Sequence, residues 1–213
     1  MIAGIVLAAG TSRRLGQPKQ LLPFRGSTVL GHTLAIATAV LPRVAVVLGA
    51  AAAAIVAHVD LHGAPVIINP DYQQGQASSL MAGLRTVTTW PDVEAVIVLL
   101  GDQPTVRLEA IHILLAMYSS AIGNSTANDQ RMPATVVPRY GDRLGNPVLF
   151  ARAAWPLLMA NVRGDGGARH LLARGEPAPL LEASLPAAWW PDDIDTWEDY
   201  QRLTQSEDRG SGA

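Results

Sequence analysis

Short apolar runs alternate with longer amphipathic stretches along the first half of the chain. The apolar runs have the length of strands and consist mostly of Val, Ile, Leu and Ala: Ile2–Leu7, Arg43–Leu48, Pro65–Ile68 and Ala95–Leu100. Stretches of helix length lie between and after them, at Val29–Ala39, Ala51–His58, Ala77–Val87 and Leu108–Tyr118. Strands that are apolar on both sides are typical of a parallel sheet flanked by helices. The pattern therefore predicts an α/β fold.

Beyond Pro133 the alternation is less regular, and we expect a mixed sheet there. Short strands are predicted near Thr135–Val137 and Val148–Phe150, and helices near Arg152–Ala160, Gly167–Ala173 and Thr196–Leu203.

Two segments lack any periodic pattern. Ser119–Met132 is polar and rich in Gly, Asn and Ser, so it is predicted to be a mobile connection, and Ser206–Ala213 is predicted to be a frayed tail. A length of 213 residues suits one domain. We therefore predict a single domain over residues 1–205, followed by a flexible tail at 206–213.

Composition narrows the class of protein. Of the residues, 49% are hydrophobic and 16% are charged, which is typical of a globular chain. Cysteine is absent, which excludes disulfides, thiolate metal sites and cysteine nucleophiles and fits a reducing cytoplasm. No apolar stretch reaches the ~20 residues of a bilayer span, and no basic region precedes the first apolar run. We expect a soluble cytoplasmic protein with no membrane partner, and the net charge of −2 gives no footprint for nucleic acid.

The charges are divided unevenly along the chain. Residues 1–59 contain five basic side chains and no carboxylate, whereas residues 60–213 contain 11 basic and 18 acidic side chains. A basic segment that faces carboxylates from the rest of the chain is what a polyphosphate and its metal ion require. Of the 16 basic residues only Lys19 is a lysine, which makes it a candidate functional residue.

The turn after the first predicted strand is built from small residues: Leu7, Ala8, Ala9, Gly10, Thr11 and Ser12. Such residues let the backbone approach a ligand closely and turn its N–H groups toward an anion. The turn is not a dinucleotide-binding fingerprint, because five residues separate Gly10 from Gly16. It is not a Walker loop either, because Gln17 follows Gly16 where a lysine is required.

Residues 7–22 carry the pattern L-A-A-G-x-S-x-R-x-G-x-x-K-x-L-L, which resembles the signature of nucleotidyltransferases similar to the molybdenum cofactor cytidylyltransferase, the family of the MobA-like NTP transferase domain. Further segments resemble the family in the same order, at residues 69–80, 101–104, 145–148, 164–169 and 193–196. The resemblance implies a three-layer α/β/α, Rossmann-like nucleotide-diphospho-sugar transferase fold with a mostly parallel sheet.

The resemblance also implies a reaction. In nucleotidyl transfer an acceptor oxygen attacks the α-phosphorus of a nucleoside triphosphate and pyrophosphate leaves, so the protein mainly positions groups and neutralises charge. Lys19, Arg14 and Asp102 are the expected catalytic residues. An acceptor phosphate, with a second pKa near ~6, is already ionised at neutral pH and needs no general base.

Mg²⁺ is the expected cofactor, held by Asp102 and Asp195, with Asp193 as the alternative to Asp195. Asp102 follows an apolar strand, at the sheet edge where ligands of α/β proteins bind. Two structural alternatives stay open. Asp102 suits the cap of a helix beginning near Pro104, and Asp195 suits the end of a helix whose capping box starts at Thr196.

The residues expected to bind the nucleotide are those of the first turn together with four groups further along: Leu7, Ala8, Ala9, Gly10, Thr11, Ser12, Arg14, Lys19, Asn69, Gly75, Ser79 and Asp102. CTP is favoured, because relatives that use GTP have glycine at the position of Ala9, whose methyl group narrows the base pocket. One methyl group gives only ~1–3 kcal/mol of discrimination. Ser79 either hydrogen-bonds the base or ribose, or caps the following helix.

On the acceptor side, the resemblance points to Arg143, Asn146 and Arg169, with Arg139 and Arg163 in the same segments. Such arginines suit the phosphate of the molybdenum cofactor. Asn146 departs from the family, which usually has histidine there. That departure favours two alternatives, transfer to another phosphorylated sugar or cofactor, or altered recognition of the same acceptor.

Two further expectations concern interactions. A molybdenum hydroxylase or its chaperone is a further expected partner, and a non-catalytic protein that binds the molybdenum cofactor during maturation is the alternative to an enzyme. Four tryptophans are predicted to be core or interface aromatics and not a stacking site: Trp155, Trp189, Trp190 and Trp197.

Overall fold

A computed structural model describes residues 1–123 and 134–208 of the chain. The strands are β1 (Ile2–Ala8), β2 (Pro23–Phe24), β3 (Ser27–Thr28), β4 (Val44–Leu48), β5 (Val66–Ile68), β6 (Ala95–Leu100), β7 (Thr135–Tyr140), β8 (Arg143–Leu144), β9 (Val148–Ala151) and β10 (Leu180–Leu185). The α-helices are α1 (Val29–Val40), α2 (Ala52–His58), α3 (Gln76–Thr88), α4 (Leu108–Gly123), α5 (Trp155–Asn161), α6 (Arg169–Leu172) and α7 (Trp197–Asp208).

The described strands form a central sheet in the order β10-β7-β9-β6-β1-β4-β5, with β8 paired to β7, while β2 and β3 form a separate hairpin. β1 pairs in parallel with both β4 and β6, and β4 pairs in parallel with β5. β9 runs antiparallel to both β6 and β7, and β10 is parallel to β7. The predicted parallel first half and mixed second half are both confirmed.

Apolar side chains of the sheet pack on both of its faces. Along β1, Ile5 and Leu7 pack on the side of α3 and α5, whereas Val6 and Ala8 pack on the side of α1 and α4. Side chains of a strand point alternately to the two faces, so a strand that is apolar throughout needs a helical layer on each side. The result is the predicted three-layer α/β/α arrangement.

The predicted bounds of the helices and strands differ from the observed bounds mainly in the second half of the chain. The expectation of a mobile connection over Ser119–Met132 is wrong at its start, because α4 continues through Gly123, and residues 124–133 lie outside the described residues. The helix expected over Gly167–Ala173 is shorter, since Gly167 has φ of +52° and α6 begins only at Arg169.

At the carboxyl end, α7 continues through Asp208, into the segment predicted to be a tail, and residues 209–213 lie outside the described residues. β10 was not predicted.

Among the described helices, none is both long enough and apolar enough to cross a membrane.

Candidate active site

A cavity of about 620 Å³ opens at the carboxyl ends of β1 and β6. Its walls come from the loop after β1, the start of α3, the end of β6 and the segment before α7. β1, β4 and β6 end side by side, because Leu7 lies opposite Leu100 and Ala8 opposite Leu48. Ligands of α/β proteins bind at this edge of the sheet, so the fold brings several of the segments singled out in the sequence to one place.

Lys19 lies at the centre of the charged groups in this cavity. Its Nζ is 2.5 Å from Oδ2 of Asp102 and 2.9 Å from Oδ1 of Asp195. Only 8% of Lys19 is exposed. Burial alone would lower the pKa of Lys19, but the carboxylates of Asp102 and Asp195 outweigh it and raise that pKa. Lys19 therefore stays protonated at neutral pH and holds two distant segments together.

Asp102 follows β6 directly, after Gly101 has extended the sheet ladder by donating its N–H to the carbonyl of Leu7. The alternative that Asp102 caps a helix near Pro104 is wrong, because α4 begins only at Leu108. The Asp102 carboxylate instead contacts Lys19 at the wall of the cavity.

Asp195 precedes α7, whose first turn is closed by the predicted capping box. The N–H and hydroxyl of Thr196 donate to Oδ2 of Asp199, and the N–H of Asp199 donates to the Thr196 hydroxyl. The Asp195 carboxylate is therefore not needed by the helix and turns to Lys19 and to Nη2 of Arg14, at 3.0 Å. Partial burial would raise the pKa of Asp195, but Lys19 and Arg14 lower it overall.

Asp193 lies on the same segment but has a different environment. Its Oδ1 accepts a 2.9 Å hydrogen bond from Nε2 of Gln103, which is buried. Partial desolvation between the cavity walls, together with the negative charges of Asp102 and Asp195, raises the pKa of Asp193. The pKa of Asp193 is thus raised, whereas that of Asp195 is lowered, so the two aspartates lie in different electrostatic environments.

Asp102 and Asp195 fit a magnesium site. Mg²⁺ typically takes one or two carboxylates and completes its octahedral shell with substrate phosphates and water. Both carboxylates contact one ammonium group, so their oxygens already converge on a single small cation. No group of three or more His, Cys, Asp or Glu within residues 1–123 and 134–208 is arranged to hold a metal. Phosphate oxygens of a substrate would therefore have to supply further ligands.

All but one of the residues expected to bind the nucleotide line this cavity. The exception is Asn69, which is buried behind the wall. Its Nδ2 donates to the hydroxyls of Ser78 and Ser79, and its Oδ1 accepts from the N–H of Asp71. Asn69 thus fixes the start of α3 and does not reach into the cavity, contrary to the expected direct contact.

Ser79 lies inside α3, which begins at Gln76 with Gly75 as the preceding residue. The alternative that Ser79 caps a helix is therefore wrong. Gly75 has φ of +97°, and a Cβ there would come within 2.7 Å of Gly164 and Asp165. Glycine is thus required for the close approach of the 164–167 loop, which forms another wall of the cavity.

A second cavity of about 540 Å³ adjoins the first. The three residues expected to bind the acceptor all line it, namely Arg143, Asn146 and Arg169, and Arg169 lines both cavities. The guanidinium of Arg143 lies 3.8 Å from the ring centre of Trp190. Trp190 thus lines a cavity as well as packing against Tyr140, whereas Trp155 is a core residue with 2% exposure.

Arg139 and Arg163 do not face either cavity, contrary to expectation. Arg139 forms a two-pronged ion pair with Glu182 on β10, with Nη2 at 2.7 Å from Oε1. Arg163 donates to the carbonyls of Ala160 and Val162 at the end of α5. Both arginines are thus occupied by the scaffold.

Several residues lining the first cavity were not predicted: Arg13, Gln20, Tyr72, Gln73, Gln76, Leu100, Gly101 and Asp165. Gln20 follows Lys19 within the pattern at residues 7–22, called the first motif below, and is 2% exposed. A polar residue next to the motif lysine is the signal that could have drawn attention to it. Tyr72, Gln73 and Gln76 flank Gly75, and Asp165 reaches the cavity because its loop packs on that glycine.

Comparisons with known proteins agree with this arrangement. The MobA-like NTP transferase domain matches residues 4–179. Nicotine blue oxidoreductase from Paenarthrobacter nicotinovorans is 31% identical over 95% of this chain and 96% of its own length. The molybdenum cofactor cytidylyltransferase of Escherichia coli is 26% identical over 75% of this chain and 73% of its own length.

Solved structures extend the comparison. The crystal structure of Rv0371c from Mycobacterium tuberculosis is 36% identical, with a TM-score of 0.80 over 96% of this chain and 97% of that one. A structure of the same protein in complex with manganese is 32% identical, with a TM-score of 0.75 over 96% and 98%. Because the matching domain covers most of the chain and includes the loop after β1 and Asp102, the chain belongs to the MobA-like NTP transferase domain family and is a nucleotidyltransferase.

Proposed function

We propose that this nucleotidyltransferase is a Mg²⁺-dependent CTP:molybdopterin cytidylyltransferase, which makes the molybdopterin cytosine dinucleotide and pyrophosphate. The observation that carries the proposal is the convergence of Lys19, Asp102 and Asp195 in a cavity lined by the loop after β1. Three groups from distant segments supply one fixed cation and two carboxylates, the set that a triphosphate and its metal ion require.

In the proposed reaction, a phosphate oxygen of the acceptor attacks the α-phosphorus of CTP. The new bond joins that oxygen to the α-phosphorus, and the bond from the α-phosphorus to the oxygen bridging to the β-phosphorus breaks. Pyrophosphate leaves with that electron pair, and no proton has to be removed from an ionised acceptor phosphate. The residues mainly align the two substrates and neutralise charge.

Lys19 and Arg14 are the cations for the triphosphate. Lys19 is a compact charge at the wall of the cavity and suits contact with phosphate oxygens. Asp102 and Asp195 would hold Mg²⁺. Nucleotidyltransferases of this family depend on a divalent metal, and a bound metal ion supplies charge neutralisation on the phosphates and fixes their orientation.

Arg169 suits the junction between the substrates, because it lines both cavities. Its guanidinium could hold the acceptor phosphate beside the α-phosphate, while Arg143 and Asn146 contact the acceptor further out. The relative from Escherichia coli that is called a molybdenum cofactor cytidylyltransferase supports this acceptor and CTP. The methyl group of Ala9 supports a pyrimidine by narrowing the cavity.

A molybdenum hydroxylase or its chaperone is the proposed recipient of the product, and the cytoplasm is the proposed location. A non-catalytic maturation role is disfavoured, because Lys19 and both predicted metal ligands are assembled.

The test is product analysis by mass spectrometry, with each of the four nucleoside triphosphates, Mg²⁺ and the molybdenum cofactor. Formation of the cytosine dinucleotide with pyrophosphate, fastest with CTP, is the expected result. Thermal shift measurements with each triphosphate and Mg²⁺ provide a second readout, in which CTP raises Tm most. Equal or absent responses in both assays would contradict the proposal.

A second candidate is transfer of a nucleotidyl group to another phosphorylated acceptor. Asn146 favours it, because this side chain lines the second cavity and stands at a position where the family usually has histidine. The assay distinguishes the two when phosphorylated sugars replace the molybdenum cofactor. Because one relative is called a nicotine blue oxidoreductase, a further assay measures redox turnover of nicotine blue, which the proposed function predicts to be absent.

A further inference from the structure

Gln20 connects the start of the first motif to its end, although it stands at a position that the motif pattern leaves open. It lies in a short 3-10 helix, Lys19–Leu21, and is 2% exposed. A primary amide this deeply buried has two donor hydrogens and an acceptor oxygen, all of which require partners.

The partners of Gln20 all lie in the loop after β1. Nε2 donates to the carbonyl of Ala8 at 2.9 Å and to that of Gly10 at 3.3 Å. Oε1 accepts a long 3.5 Å contact from the hydroxyl of Ser12. One side chain thus holds the carbonyls on both sides of Ala9 and reaches the residue at which the loop turns.

Ser12 connects the hydrogen bonds of Gln20 to Lys19. Its hydroxyl accepts a 3.0 Å hydrogen bond from the N–H of Lys19, and its backbone has φ of +51°. The positive φ is uncommon for a residue with a side chain and needs support from its surroundings. Gln20 and the Lys19 backbone supply that support from behind the loop.

The orientation of the carbonyls matters for an anionic ligand. Carbonyl oxygens turned into the cavity would repel a triphosphate, whereas those of Ala8 and Gly10 are turned to Gln20. Within the described parts of the chain, the N–H groups of Thr11 and Ser12 take part in no hydrogen bond. Both residues line the cavity, so these donors are available to phosphate oxygens.

We propose that Gln20 is a positioning residue for the triphosphate: its buried amide holds the carbonyls of the loop after β1 away from the cavity, so that the loop N–H groups face the phosphates. The inference rests on the proposed nucleotide site and adds a residue that does not itself react. It predicts an effect on nucleotide affinity that exceeds any effect on turnover.

The test variant is Gln20→Met, which keeps the length of the side chain and removes both donors. Isothermal titration with Mg²⁺ and CTP, and separately with inorganic tripolyphosphate, measures binding at a temperature where both proteins are folded. We expect Kd to rise about ten- to a hundred-fold for both ligands, the cost of leaving buried carbonyls without partners near an anion. KM for CTP should rise by a similar factor while kcat stays within about threefold.

Two further variants separate this role from a general loss of stability. Thr33→Val removes a buried hydroxyl that donates to the carbonyl of Val29 within α1. It should change Tm but leave Kd as in the unmodified protein. Gln20→Glu preserves shape and replaces the donors with acceptors, so it should weaken binding at least as much as Gln20→Met.

Amide hydrogen exchange provides a readout without nucleotide, in which Gln20→Met should accelerate exchange of the N–H groups of Leu15 and Lys19, which both donate to Ser12. If Gln20→Met does not fold, Gln20→Asn, which shortens the reach, replaces it in every arm. If the Gln20 variants bind CTP with a Kd within twofold of that of the unmodified protein, the inference about Gln20 is wrong and the proposed function stands. If the unmodified protein does not bind CTP, both are wrong.

Discussion

Lys19 and Asp195 are 176 positions apart in the sequence, yet Nζ of one lies 2.9 Å from Oδ1 of the other. The contact brings the first motif and the segment before α7 to one wall of the cavity. The Lys19 side chain is nearly buried, and its two carboxylate partners raise the pKa of Lys19 despite that burial. The ion pair fixes the relative positions of two segments that both line the cavity.

Replacement of the other carboxylate partner tests the predicted metal site. Asp102→Asn keeps the shape of the side chain but removes a charge that a divalent cation requires. We expect kcat to fall by about 10²- to 10³-fold when pyrophosphate release is measured, with the fold retained and Tm lowered by a few degrees, because Lys19 loses one of its two carboxylate partners. Asp92→Asn, at an exposed site that precedes β6 and so lies at the opposite end of that strand from the cavity, is the control and should keep full activity. Retained turnover in Asp102→Asn would remove Asp102 from the site.

Lys19 occupies the position between the two predicted metal ligands, so it should compete with a metal ion when nucleotide is absent. We expect Lys19→Met to bind Mn²⁺ about tenfold or more tightly without nucleotide, because no ammonium then neutralises Asp102 and Asp195. The same variant should bind CTP more weakly. Electron paramagnetic resonance of Mn²⁺ measures the first effect directly.

The control for that experiment is Arg14→Met, which removes the exposed cation on Asp195. An exposed ion pair contributes little, so Mn²⁺ affinity should change by less than about threefold. Equal Mn²⁺ affinity in Lys19→Met and the unmodified protein would show that Lys19 does not compete with the metal.

The capping box should matter for stability. Thr196→Ala removes the hydroxyl that accepts from the N–H of Asp199 at the start of α7. We expect a loss of about 1 kcal/mol in the free energy of unfolding, measured by urea denaturation. Thr204→Ala is the matched control, because its hydroxyl bonds back to the Tyr200 carbonyl inside the same helix and alanine favours helix. Equal losses in both variants would argue against the cap.

The first half of the fold was predictable because its strands are apolar on both faces. β1, β4 and β6 have that composition, and each begins or ends within two residues of the prediction. β10 differs, since Glu182 and Ser184 alternate with buried Ala183 and Leu185 and the strand follows two prolines. One apolar face and a Pro-rich approach gave a weaker signal than a fully buried strand.

The candidate site was predictable as a set of segments but not as a set of contacts. Motif order singled out Lys19 and Asp102, which do meet. The type of side chain did not reveal that Arg139 pairs with Glu182, because the strand carrying Glu182 had not been predicted. A motif identifies which residues matter together, whereas the partner of each charged side chain depends on the tertiary fold.

The stability of the protein should depend on pH through two aspartates before α7, Asp193 and Asp195, whose pKa values shift in opposite directions. The folded state raises the pKa of Asp193 above its ordinary value of 3.8. Asp193 therefore stabilises the folded state at pH values below 3.8, and this stabilisation is lost as pH rises through the raised pKa. The folded state lowers the pKa of Asp195, so its contribution is present above 3.8 and lost as pH falls through the lowered pKa.

At pH 7, Asp193→Asn should therefore raise Tm by up to a few degrees, whereas Asp195→Asn should lower it. Asparagine mimics the protonated form of each carboxyl and can still accept the hydrogen bond from Gln103. Both differences should shrink as pH falls below 3.8, the value at which each free carboxyl is half protonated. Calorimetry in EDTA, without nucleotide, measures both variants under the same conditions. Shifts of the same sign at pH 7 would contradict the assigned environments, because only Asp195 is held by Lys19 and Arg14 within the described residues.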